Sequence, residues 1–575
     1  MNWNMKPAGA QAHIEKLAAD LSGQRPFPLS LARVFYLRGL HSYNEVRDFC
    51  RPGEGNLHDP FLMNQMDIAV DRLIQVIEKQ ESILLFGDYD VDGTTAVALM
   101  SCVCQDLGIL HHTYIPDRYK EGYGLSYQGI DAAVEAGAKV LITLDCGIKA
   151  FEKVRYATTK GIDVIICDHH NPADTLPEAL AVLDPKIQGN SYPFKELTGC
   201  GVGMKLASGL VSKLVELGFS LPETDYSPVK KYADLLALSI ACDLVPITGE
   251  NRILANLGLE KLRTNPHPGI AILMRQSRQQ REWDISDLVF FIGPRINAAG
   301  RLKHGKMAVE VLKGQAENLE EIASLLESEN DKRKEMEQHI CAEAATAIAQ
   351  NPSLKEASST VLFDEKWNKG VIGIVASRLI EQYYRPTVML TRSNGYLVGS
   401  ARSVAGFDLY QALQMCDEHI LQWGGHTYAA GLTLEEAQLS AFTEAFEQAV
   451  NQTIRPEQKV PSLWIDAEVD FRTINLKFIN TINRLAPFGP GNRRPVFQTM
   501  GVKVLRADIL KEKHVRFMLE QNDKVCRAIG FNLAEKWFSL KSDIIDIAYQ
   551  PTLNKWKQQV HIDLRLKDIK SSYES

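Results

Sequence analysis

From Ser82 onward, apolar runs of strand length alternate with segments of helical length. SILLFGDYD is followed by TTAVALMSCVCQDLG and HTYIP, and after further helices come AKVLITLD, IDVIICD and ALAVLD. These strands are continuously apolar, as expected where both faces of a sheet are covered. Strand–helix alternation of this kind predicts an α/β fold with a parallel, doubly wound sheet. Residues 199–312 read as mainly helical. A long helical stretch follows, roughly Ala316–Ala349, with Leu319, Ile322, Leu326, Met336 and Ile340 on recurring positions. As one helix it would span about 50 Å, and its polar faces suit a bridge between domains. A second α/β block runs from about Ser358 to Asn451, with STVLFD and RPTVMLT as strands. TIRPEQKVPS reads as a linker. Beyond it the pattern becomes strand-rich (WIDAEVDF, PVFQTMGVKVLRADIL, HVRFMLE, DIIDIAYQP), which suits a small β-barrel.

The predicted divisions are therefore a mixed segment 1–80 packing on the first α/β domain, that domain at 81–312, a connecting helix at 313–350, the second α/β domain at 351–457 and the barrel at 458–575. The 575 residues give room for three or four domains. No apolar run reaches the eighteen or so residues that cross a bilayer. No secretory signal is evident at the N-terminus, and the ten cysteines are scattered without disulfide or zinc spacing. A cytoplasmic protein with no membrane contact is expected, and a monomer is the default.

Net charge changes the picture more than composition does. The chain carries −7, but residues 461–575 hold 19 Lys+Arg against 13 Asp+Glu, a net of +6 that leaves −13 for residues 1–460. A basic C-terminal part can attract phosphate, whereas an acidic part suits bound cations, which reverse the local sign.

In α/β sheets ligands collect outside the carboxyl ends of the strands, and those ends carry the chemistry here. One strand runs into Gly87-Asp88-Tyr89-Asp90-Val91-Asp92-Gly93, a second into Asp145-Cys146-Gly147, a third into Asp168-His169-His170, and the helical segment ADLLALSIACDLVP adds Asp243. Any one Asp after a strand is usually a turn former or helix cap, and a lone histidine is usually a satisfied structural group. DxDxDG also mimics a calcium loop, but TTAVAL opens an apolar helix where that motif needs its Glu. Four ends converging on carboxylate and imidazole instead suit Mn²⁺ or Mg²⁺, since zinc recruits Cys or more His.

GDYDVDG, TLDCGI, CDHH and ACDLVP resemble the four signature motifs of the DHH phosphoesterase superfamily, and specifically of the RecJ exonucleases. GPRINAAGR is similar to a further segment of that family, and WNKGVIGIVASRL, GSARS and WGGHTYAAG resemble its DHHA1 domain; the β-rich tail stands where the family has an OB-fold. The resemblance implies a 5′→3′ exonuclease that degrades single-stranded DNA to 5′-mononucleotides in recombination and repair. It implies two divalent cations held by Asp88, Asp90, Asp92, Asp145, His169 and Asp243, with Asp145 as the candidate bridge. His170 would hold the scissile phosphate or protonate the leaving oxygen, and Asp168 would orient a neighbour. Arg118, Arg295 or Arg301, Ser400 and Arg402 resemble the family's grip on a 5′-phosphate, and Gly424, Gly425 and His426 would let backbone approach it. The resemblance also implies single-strand-binding protein and a RecQ-type helicase as partners. Phe488, Phe497, Phe517, Trp537 and Trp556, beside Arg493, Arg494, Lys503 and Arg516, are candidate base platforms, although burial preference favours barrel core for most of the aromatics. Two rival readings are a small-substrate phosphodiesterase of the same superfamily, which would leave the basic tail without a purpose, and an inert scaffold, which would not need all its metal-type residues.

Overall fold

The computed structural model describes residues 1–118, 120–277, 282–302, 305–540, 542–556 and 559–572. The side chains of Arg301 and Trp556 lie outside that description.

Five parallel strands form the first sheet, in the spatial order His111–Tyr114, Ile83–Gly87, Val140–Leu144, Asp163–Cys167, Ala181–Leu183. Their continuous apolarity has a direct cause. Ile83 and Leu85 enter one core, with the helices Met66–Lys79, Val91–Asp106, Gly199–Glu216 and Pro228–Cys242. Leu84 and Phe86 enter another, with Ile130, Ala133 and Val154 on the opposite face. The chain order reverses between Ile83–Gly87 and Val140–Leu144, and such a switch point opens a crevice at the carboxyl ends of the two strands. Asp88 and Asp145 follow those two strands.

The long helix is Leu319–Gln350. Ala323 and Leu326 near its start belong to the first core, whereas Ile340, Ala344 and Ile348 pack against Leu362, Val371 and Leu379 of the second α/β domain. One helix thereby enters both domains. In the second domain Thr360–Phe363 and Thr387–Ser393 pair in parallel, and Tyr396–Arg402, Ala429–Leu434 and the edge strand Gln422–His426 continue the sheet antiparallel.

The C-terminal strands make a closed barrel, because Phe497–Leu510 pairs with both His514–Gln521 and Ile544–Trp556. Phe497 and Phe517 are fully buried in it, so they are core rather than base platforms. The N-terminal segment departs from the expectation that it packs on the first α/β domain. Leu17, Leu31, Val34, Phe35 and Val46 share the barrel core with Phe471, Phe478 and Phe497, and Asn2–Met5 pairs with Ser462–Ile465. The part from Glu54 onward does join the first domain: Ser227 Oγ donates to Glu54, Leu57 packs against that core, His58 N–H donates to Glu250, and Met63 to Val76 lie within it. A docking partner more than 400 residues away leaves no periodic trace in either sequence. Among the described residues no helix is long and apolar enough to cross a membrane.

Candidate active site

Asp88, at the end of its strand, is buried, and one of its oxygens accepts a long bond (3.4 Å) from Gly124 N–H while the other has no hydrogen-bond partner among the described residues. Asp90 caps the following helix through Gly93 N–H at 3.1 Å. Asp92, in the first turn, accepts from the N–H groups of Gly199 (2.6 Å) and Cys200 (3.0 Å) and from Ser239 Oγ (2.6 Å). Asp145 takes a left-handed conformation, φ 62°, which Asp tolerates better than most residues. A Cβ on Gly199 would stand 2.5 Å from the Asp145 Cβ, so only glycine fits there.

His169 gathers these groups. Its Nε2 lies 3.2 Å from Asp145, 3.6 Å from Asp243 and 3.8 Å from Asp92. Ligand-type atoms of Asp92, His169 and Asp243 lie within 4.8 Å of one another, as do those of Asp145, His169 and His170, so His169 is common to both groupings. Among the described residues, both His169 nitrogens, Asp88 Oδ2 and Asp243 Oδ2 are buried without hydrogen-bond partners, and unpaired buried polar atoms are costly. Burial, followed by repulsion from neighbouring carboxylates, pushes Asp88 up to about 8, Asp243 to about 9 and Asp145 well above the ordinary range. Oxygen-rich donors with one imidazole, short of partners and of positive charge, fit a hard divalent cation.

Asp168 behaves in the opposite way. Burial alone would raise it, but the His170 hydrogen bond and charge, with N–H bonds from Ile148 and His170, hold it at about 2. It thus orients His170, whose Nδ1 is 2.7 Å away, and raises that imidazole's pKa against the effect of burial. Tyr123 Oη lies 3.0 Å from His170 Nε2.

A separate cavity of about 530 Å³ opens between the two α/β domains, lined among others by Arg118, Lys369, Gly373, Ser400, Arg402 and Gly425. Ser400 and Arg402 alternate on Tyr396–Arg402 and so share a face, and Arg402 Nη1 donates to Ser400 Oγ at 2.8 Å. Helix Ile372–Tyr383 starts at the cavity with no side-chain cap, and such a terminus favours anions. Gly373 permits the approach, since a Cβ there would meet Ser400 Oγ at 2.8 Å and Arg402 Nη2 at 3.0 Å. From this cavity Arg118 reaches over the Tyr89 ring (4.9 Å), Tyr89 meets Tyr123 edge-on, and Tyr123 meets His170.

Family models match three stretches in order: DHH family, N-terminal domain, over residues 82–240; DHHA1 domain over 356–452; and RecJ OB domain over 465–568. The single-stranded-DNA-specific exonuclease RecJ of Haemophilus influenzae is 34% identical over 517 residues, covering 87% of this chain and 89% of that protein. The chain belongs to the RecJ family. RecJ of Escherichia coli is 31% identical across 96% of this chain and 97% of its own. In fold, the crystal structure of Thermus thermophilus RecJ in complex with Mn²⁺ matches with a TM-score of 0.83 at 24% identity, covering 99% of this chain and 79% of that one.

Set against the residues that the RecJ resemblance singled out, the structure gathers Asp88, Asp90, Asp92, Asp145, His169 and Asp243 at one sheet edge with Asp168 and His170 beside them. It brings Arg118, Ser400, Arg402, Gly424 and Gly425 around one cavity. His426 is exposed on the edge strand and is not among the residues lining it. Arg295 is a correction. It is buried, and its guanidinium is committed to Glu327 of the long helix and to the Phe291 carbonyl, so it ties helix to domain. The glycines of GPRINAAGR explain that segment better, because a Cβ on Gly300 would stand 2.6 Å from the Tyr89 carbonyl oxygen. Sequence reasoning missed Lys369, Gly373, Tyr89 and Tyr123. The helix start in WNKGVIG, with a cation and two glycines but no capping side chain, was the readable signal for the first two.

Proposed function

We propose that this RecJ-family chain is a 5′→3′ exonuclease that hydrolyses single-stranded DNA to 5′-mononucleotides. The observation that carries the reading is the pairing of the acidic His169 cluster with a cationic cavity joined to it through Arg118, Tyr89 and Tyr123. A metal site alone cuts phosphodiesters from either end, whereas fixed cationic donors beside it recognise a terminal phosphate. Asp88, Asp90, Asp92, Asp145, His169 and Asp243 hold two divalent cations, Mn²⁺ or Mg²⁺. Bound there, the pair supplies charge neutralisation at the phosphate and a more acidic water. The protein groups do the rest. Arg402, Ser400, Arg118 and the start of helix Ile372–Tyr383 hold the 5′-phosphate, and the Asp168–His170 pair fixes the groups that stand beside the scissile linkage. The P–O3′ bond then breaks, which leaves a new 5′-phosphate on the shortened strand.

The barrel supplies strand affinity, and single-strand-binding protein and a RecQ-type helicase are the partners the family implies for a monomeric enzyme of the cytoplasm. The test is degradation of one 5′-labelled and one 3′-labelled strand with Mn²⁺ and with EDTA. Immediate release of labelled mononucleotide from the 5′-labelled strand alone, abolished by EDTA, is the expected result. Early release from the 3′ label, or undiminished activity in EDTA, sinks the proposal.

A further inference from the structure

Glu121 and Gly124 anchor the connection that leads into Ser126. Glu121 accepts from Asp117 N–H (2.7 Å), Tyr114 Oη (3.0 Å) and Ser126 Oγ (2.6 Å). Gly124, at φ +75°, donates its N–H to Asp88. Tyr123 stands between these anchors and is 54% exposed. Its hydroxyl lies 3.0 Å from His170 Nε2 and its ring meets that imidazole edge-on, so the hydroxyl is on the side of the acidic cluster. His170 has Asp168 on Nδ1 and the Tyr123 hydroxyl on Nε2. Both ring nitrogens are therefore engaged, and the imidazole cannot reach a substrate atom through Nε2 without giving up a partner. When His170 carries both ring protons, Nδ1–H donates to Asp168 and Nε2–H to the Tyr123 oxygen, which leaves the phenol's single proton free to be donated outward.

Resting on the exonuclease reading above, we propose that Tyr123 is a catalytic residue whose hydroxyl donates to the departing 3′ oxygen. Its place supports this: it lies between the cavity at Arg118 and the acidic cluster, where the nucleotide being released has to sit. In the step, the water oxygen bonds to phosphorus and the P–O3′ bond breaks with its electron pair on O3′. O3′ takes the Tyr123 hydroxyl proton. The phenolate left behind, steadied by His170, is reprotonated by the proton that the attacking water releases to solvent. His170, held by Asp168, positions the hydroxyl.

The competing role is a buttress that only fixes His170, and leaving-group chemistry separates the two. Tyr123→Phe keeps the ring and its edge contacts, so the melting temperature and the affinity for a strand in EDTA are expected to stay unchanged. Turnover is compared on a 5′-phosphorylated strand with an ordinary first linkage and on one whose first linkage carries sulfur in place of O3′. A thiolate, with an ordinary pKa of about 8.5, departs without needing a proton. General-acid catalysis is typically worth about 10²–10⁴-fold, so the variant is expected to lose about a hundredfold on oxygen and less than about threefold on sulfur. Equal slowing on both linkages, or no slowing on either, overturns the role. If the wild type itself fails to cut from the 5′ end, the exonuclease reading falls, and this role with it.

Discussion

Asp88 and Asp243 sit at about 8 and about 9 because burial and neighbouring carboxylates disfavour their charged forms. Asp184, buried after the last strand of the same sheet, is likewise pushed up to about 7, chiefly by burial. In an unfolded chain each would titrate near 3.8, so the folded cation-free protein holds protons that the unfolded chain has lost. Stability from these groups is therefore full below about pH 4 and falls as pH rises through 7 to 9. Asp168 has the opposite sign, but at about 2 it is already ionised throughout that window. The metal-free protein is expected to melt several degrees lower at pH 8.5 than at pH 6, with Mn²⁺ restoring more at the higher pH. Asp145→Asn should abolish cleavage, raise the metal-free melting temperature and flatten its pH slope; calorimetry without metal checks both, and a slope that persists unchanged removes Asp145 from the cluster. At the other site, Arg402 has no carboxylate partner among the described residues and is held below its usual pKa by burial. Arg402→Ala is expected to cost about ten- to a hundredfold in kcat/KM on 5′-phosphorylated DNA, the size of a charge-assisted contact, and much less on 5′-hydroxyl DNA. Equal losses would make it a general backbone contact. The metal-type residues were legible in the sequence because strand ends fix where they point, whereas the fate of Arg295 depended on which carboxylate the long helix brings beside it.

Elements were read more easily than their neighbours. The sequence pattern places the long helix at roughly Ala316–Ala349 against Leu319–Gln350 in the structure, and the GSAR of GSARS lies on a strand, which puts Ser400 and Arg402 on one side. Helix Gly199–Glu216 shows what periodicity does not carry. Its first turn holds Asp92 with two N–H groups, and the missing Gly199 side chain leaves the space that Asp145 fills. Nothing about an apolar helix that opens GCGVG announces that its end is part of a cation site. Gly199→Ala is therefore expected to displace Asp145, with an overpacking cost of about 1–3 kcal/mol and a weaker Mn²⁺ isotherm. A lowered melting temperature with unchanged Mn²⁺ affinity would show that the cluster tolerates the shift.

At the scale of the molecule the three bodies share one surface. A cleft of about 280 Å³ runs from Arg402 past Gly373 to Phe290, which is 69% exposed. Phe290 also lines a larger cavity of about 860 Å³ between the first domain and the barrel, where Phe488, Arg494, Arg565 and Lys567 come together. Burial and the Arg565 charge hold Lys567 below its usual pKa, and Arg494 is lowered by burial despite the attraction of Asp284. Crowded cations beside aromatic rings suit a single strand, with backbone phosphates on the charges and bases on the rings. Removing the whole barrel cannot test this, because the barrel also carries the partner strand of Asn2–Met5 and the apolar seat of the N-terminal helices. The cleaner change is Arg494→Ala, Arg565→Ala and Lys567→Ala together, which leaves the barrel core untouched. Each single-strand phosphate contact contributes about 0.7 to the slope of log affinity against log salt. The triple variant is therefore expected to bind long single strands more weakly at low salt and to lose about 2 units of that slope. Turnover at saturating strand should change far less than affinity, since no residue of the His169 cluster lines this cavity. An unchanged slope would place the strand on another face, where Arg493, Lys503 and Arg516 are exposed.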